Sequence, residues 1–130
     1  MKNAALIFVL ASTFSTFNVA QAEEVDPAAM KNVYDSTRNI AGLINYCVDK
    51  GFLKSDSTEN AKKMVAFAKG MPGGVDTSDG DKNEAYGREG KGKGPDGKYE
   101  RVESAAPQGV EAWCKEADEG VREGLKSVGL

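Results

Sequence analysis

The residues with the clearest chemical consequence are two cysteines, Cys47 and Cys114, each on the apolar side of a helix-patterned segment. An even cysteine count in an exported chain points to disulfide formation, and two cysteines allow one intramolecular pairing. Sixty-six residues separate them. Closing so long a loop stabilises the fold by about 4 kcal/mol through the lost entropy of the unfolded chain. A redox-active pair is the competing reading, but the sequence has no C-x-x-C motif to lower a thiol pKa. The expectation is a structural disulfide.

The chain contains no histidine. Ser-His-Asp and Cys-His catalysis, imidazole metal sites and the usual charge switch near neutral pH are thereby excluded. With two cysteines, a four-ligand zinc site would need carboxylates as well. Nothing in the sequence brings two carboxylates into one cleft, and no nucleophile motif surrounds the serines or lysines. No catalytic residue, cofactor or metal ligand is assigned, and the chain is read as a non-enzyme. A hydrolase that works without histidine is the least favoured alternative.

Two stretches between residues 70 and 104 invite closer reading. Asp76, Asp79, Asp81 and Glu84 suggest a calcium loop, yet neither EF-hand register fits. Placing Gly80 at position six puts Val75 at one; placing Asp79 at one puts Glu84 at six and Gly90 at twelve. A solvated turn is the simpler assignment. Gly90-Lys91-Gly92-Lys93-Gly94 resembles an anion cradle, but the closing Lys-Ser/Thr of a P-loop is absent. A flexible linker is the preferred reading, with the acidic and basic halves of the segment able to pair with one another.

The elements that must position these groups are mostly helices. Asp26-Pro27 is a helix start, and Met30, Val33, Tyr34, Thr37, Ile40, Ala41, Ile44, Cys47 and Val48 follow as one apolar stripe. The helix spans about 27–50 and closes at Gly51, with Phe52 and Leu53 folding back. Asp56 and Glu59 form a capping-box pattern before a second stripe of Ala61, Met64, Val65, Phe67 and Ala68. The short connection predicts an antiparallel helical hairpin. Nine of the fifteen glycines fall in 70–104, which reads as a long glycine-rich excursion. Within it, 82–86 suggests a short helix, Pro95-Asp96-Gly97 a turn, and 91–102 a weak hairpin.

The last helix is expected to start near a Ser104 cap with Pro107 in its first turn. Val110, Trp113, Cys114, Ala117, Val121, Leu125 and Val128 form its stripe, with Trp113 over the disulfide. Gly120 and Gly124 mark either a fraying end or a close approach by another helix.

Lys2, the apolar run Ala4–Ala11 and the Ala20-Gln21-Ala22 cleavage pattern read as a signal peptide over 1–22. Its removal takes one lysine and no acid, moving the formal charge from −3 to −4. What remains is 108 residues, one domain over 23–130. The mild acidity argues against nucleic acid as a partner, and no transmembrane segment is expected after cleavage. With no N-x-S/T sequon, the chain is placed in a bacterial periplasm or secreted fraction.

The fold class expected is all-α: a small bundle of two long helices and one or two short ones, braced by one disulfide. The function expected is a non-enzymatic binding or accessory protein whose partner is another protein. Met71, Asp76, Asp79, Asp81, Arg88, Lys91 and Lys93 are the candidate contacts, because loops on a rigid scaffold often carry recognition. The alternative is a carrier holding a small apolar ligand among Met30, Tyr34, Met64, Phe67 and Trp113.

Overall fold

The computed structural model describes residues 24–130, so the signal-like segment lies outside the described residues. The fold is all-α with one small hairpin: α1 (Pro27–Asp49), α2 (Ser55–Lys69), α3 (Gly80–Arg88), β1 (Lys91–Lys93), β2 (Tyr99–Arg101), α4 (Val102–Ala105) and α5 (Val110–Ser127).

The spine is α1. Asp26 accepts a hydrogen bond from the Ala28 amide at 3.0 Å, and Pro27 occupies the first helical position. At the other end Gly51 adopts φ +80°; its amide donates to Val48 and that of Phe52 to Cys47. This is the left-handed closure that the sequence predicts. The Cys47–Cys114 disulfide forms, with Cα atoms 5.8 Å apart. It joins the end of α1 to the start of α5 under Phe52, Leu53, Val110 and Trp113.

The single stripe expected on α1 is too simple. Ala41, Gly42, Leu43 and Ile44 are all buried, so the middle of α1 is enclosed on every side. Ala41 and Ile44 meet Ala61, Val121 and Leu125, while Leu43 meets Val102 and Ala106. Val33 and Ile40, expected inside, are 45% and 37% exposed.

What covers the other side of α1 is α3. A Cβ on Gly42 would lie 2.1 Å from the Glu84 carbonyl oxygen, and one on Gly87 would lie 2.2 Å from that of Asn39. The two helices therefore cross backbone to backbone, which only glycine permits at both positions. From Gly80 onward this segment is consequently not an excursion; residues 70–79 form a mostly exposed connection. The strands pair antiparallel, Lys91 with Arg101 and Lys93 with Tyr99. Their turn is closed by the Gly97 amide on the Gly94 carbonyl, with Gly97 at φ +79°. The buried Asn39 side chain donates to the carbonyls of Asn83 and Lys91 and accepts from the Lys93 amide at 2.9 Å. The expected flexible linker at 90–94 is thus a strand tied to α1.

Two helix starts also differ from expectation. The Asp56–Glu59 capping box does not form; Lys54 stands at the N-cap without a side-chain bond. Asp56 instead accepts from Arg122 of α5 at 3.0 Å. Ser104 lies in the short α4, and α5 begins only at Val110, after Gly109 at φ +96°. Proline disfavours helical backbone in the residue before it, and Ala106 is extended. Pro107 therefore breaks the helix rather than starting it.

Gly120 and Gly124 face open space, with nothing near an added Cβ. The close-approach reading fails there and holds instead at Gly42 and Gly87. The four glycines should then respond oppositely to alanine in urea unfolding. Gly120→Ala and Gly124→Ala should each gain about 0.5–1 kcal/mol. Gly42→Ala and Gly87→Ala should each lose about 2 kcal/mol or more. A neutral Gly42→Ala would disprove the tight crossing.

Candidate binding groove

The packing of α2 and α3 on α1 leaves an open groove of about 550 Å³ between them. Its floor is made of small apolar side chains, Ala41 of α1 and Ala61 and Val65 of α2, with exposed Ala66 beside them. Along α2 the lining runs from Thr58 to Lys69, about 16 Å at the helical rise. At one end Thr58 donates to Asn45 across the two helices at 3.0 Å.

The walls are basic. Lys62 and Lys69 stand on α2, Arg38 on α1 and Arg88 on α3, with Glu84 the single acid among the lining residues. That is a local excess of three positive charges on a chain whose formal net charge is −3.

These cations are not equivalent. Arg38 is a scaffold group: its Nε donates to Glu84 at 2.7 Å, Nη2 to Asp81 at 2.6 Å and Nη1 to the Tyr34 hydroxyl at 2.9 Å. Burial alone would lower its pKa, but the bonds to Tyr34, Asp81 and Glu84 outweigh that and hold it above the ordinary value. Arg88 is largely exposed and reaches Glu84 only at 3.5 Å. Lys62 pairs with exposed Glu59 at 3.0 Å, a contact worth a few tenths of a kcal/mol that another anion can replace. Among the described residues Lys69 has no ion-pair partner.

The candidate contact residues are engaged in different ways. Asp79 accepts from Lys31 and Asp81 from Arg38, so the acidic half of 70–104 pairs mainly with α1 and not with its own basic half. Asp76 accepts from the Ser78 amide at 2.9 Å. Lys91 pairs with Glu89. Lys93 belongs to β1 beside the hairpin turn, and Met71 is half-buried after α2. Only Arg88 lines the groove. Among the described residues no three acids come together as metal ligands.

The five residues considered for an apolar ligand are dispersed. Met64 packs on the α1–α2–α5 core and Trp113 on the disulfide. Tyr34 is buried beside Arg38 and Gly80, Phe67 is 43% exposed, and Met30 lies beside Pro72 and Gly73.

Sequence reasoning missed Lys62, Lys69, Val65 and Ala66 as a set. The available signal was two lysines seven residues apart, hence two turns apart on one side of α2, flanking Val65 and Ala66. Without α3 in place, that pattern is an ordinary wet helix edge.

No family model, curated protein or solved structure matches the chain.

The titrating groups define a plain stability profile. Hydrogen bonds lower the carboxyl pKa of Asp79 through Lys31, Asp76 through Ser78, Asp56 through Arg122 and Glu103 through Tyr46. A depressed carboxyl contributes stability above its unfolded pKa and loses it as pH falls through the folded value. The Tyr46 phenol is raised by its bond to Glu103, and that of Tyr99 by burial. Those contributions are present below the unfolded phenol pKa and are lost as pH rises through the folded one. With no histidine, Tm should be flat from about pH 5.5 to 8.5, and fall below pH 4 and above pH 10. A step near pH 6.5 in thermal melts would contradict this.

Proposed function

We propose that the chain is a small exported, non-enzymatic binding or accessory protein, and that its contact surface is the groove between α1, α2 and α3. The observation that carries this reading is the concentration of exposed cations over an apolar floor on an otherwise acidic molecule. Such a surface is held by rigid elements on three sides, as recognition requires.

Export is supported by the signal-like pattern and the buried Cys47–Cys114 disulfide, since such bonds persist in oxidising compartments. No described helix is long and apolar enough to cross a membrane. A bacterial periplasm or the secreted fraction is the proposed location.

The non-enzymatic reading is supported by the groove's polar groups. The Thr58 hydroxyl donates to an amide oxygen and not to a base. The Glu84 carboxylate spends one oxygen on Arg38 and the other on Arg88.

Photo-crosslinking in the source cell tests the location of the contact. A benzoylphenylalanine at the exposed position of Ala66 should give one dominant adduct on irradiation. The same group at Lys98, on the hairpin turn, should give none. An adduct confined to Lys98 would return the contact to the hairpin, and no adduct at Ala66 would end the proposal.

A further inference from the structure

Resting on that reading of the groove, we infer that its occupant is an acidic amphipathic helix of another protein: a segment with a small apolar row flanked on both sides by Asp or Glu. Shape is the first argument. The groove is open along about 16 Å, three turns of helix, and its floor is Ala41, Ala61 and Val65, with exposed Ala66 beside them. Small side chains let a second backbone approach closely, and a row at i, i+3, i+4 and i+7 is the natural filling for such a channel.

Charge distribution is the second argument, and it separates a helix from an amphiphile. A fatty anion needs an enclosed apolar tunnel with its charge partner at one end. Here Lys62 and Lys69 are seven residues apart along one wall, while Arg88 stands on the facing wall. Positive charge therefore runs along the α2 wall and meets Arg88, beside Glu84, on the α3 wall, matching acids spaced along a helix rather than a single headgroup.

A second copy of this chain is the nearest competitor, because α5 shows Glu116, Glu119 and Glu123 on its exposed side. That side offers Gly120 and Gly124 between the acids but no apolar row to fill the floor. The partner is accordingly a different protein.

The test uses the purified chain and a labelled sixteen-residue helical peptide, with Leu and Ala in one row and Glu on both flanks. Its twin carries Lys in place of Glu. Three partly exposed ion pairs together make the Glu peptide about tenfold tighter than the twin in fluorescence anisotropy at low salt. Lys62→Glu with Lys69→Glu should remove that preference, while Lys126→Glu on α5 should leave it intact. All substituted lysines are exposed, and matching circular dichroism and Tm confirm that the variants fold. Equal binding of the two peptides overturns the inference, as does a preference unaffected by the double variant. Binding of laurate or phosphatidylglycerol vesicles that the double variant abolishes, with no peptide preference, reassigns the groove to an anionic amphiphile or a membrane. Concentration-dependent self-association lost in the same variant reassigns it to a second copy. An Ala66 adduct with no peptide preference removes only the occupant; absence of the adduct removes the groove itself.

Discussion

The backbone crossing of α1 and α3 at Gly42 and Gly87 sets most of what surrounds it. With no side chain at either position, the Glu84 carbonyl comes where a Cβ of residue 42 would stand. At that distance the Arg38 side chain reaches both Glu84 and Asp81, and Asn39 reaches the carbonyls of α3 and β1. Separating the helices by the width of one methyl group would break these bonds together. It would also leave the buried polar atoms of Asn39 and its backbone partners unpaired, at a cost of about 1–3 kcal/mol each.

The disulfide acts at the other end of α1 and in a different way. It removes conformations from the unfolded chain, whereas the glycine crossing and the Asn39 bonds act in the folded state. Its sulfurs lie in an apolar nest of Tyr46, Phe52, Leu53, Val110 and Trp113. The two devices meet through Leu43 and Trp113, which pack on the Val102–Ala106 cluster beneath the hairpin. One long helix thereby carries the disulfide, the α3 crossing and one side of the groove.

The groove follows from these constraints. α3 lies against α1 along its polar-looking side, α2 lies along its apolar side, and the space between them is floored by whatever faces outward from α1. That residue is Ala41, too small to fill the gap. The basic walls then arise because α2 turns Lys62 and Lys69 outward while Arg88 stands on α3 beside the Arg38–Glu84 pair. An acidic molecule thus carries a local positive channel, a property that net charge conceals.

Composition and local pattern determined a great deal on their own. The absence of histidine, the single disulfide connectivity, the Asp26-Pro27 start, the Gly51 closure and the Pro95-Asp96-Gly97 turn were all legible, because each depends on residues close in sequence or on counting. The 82–86 helix and the 91–102 hairpin were legible as local tendencies. Only the tertiary structure decided that the middle of α1 is enclosed, that the segment from Gly80 to Val102 packs against it, and that the acids of 70–104 pair with Lys31 and Arg38. Glycine in a helix has the same local cost whether it faces water or a neighbouring backbone. Nothing near Gly42 or Gly87 distinguishes them from Gly120 or Gly124; only the chain that arrives from forty residues away does. The groove was hidden for the same reason, since its walls come from three helices and a helix edge becomes a wall only when another helix stands opposite.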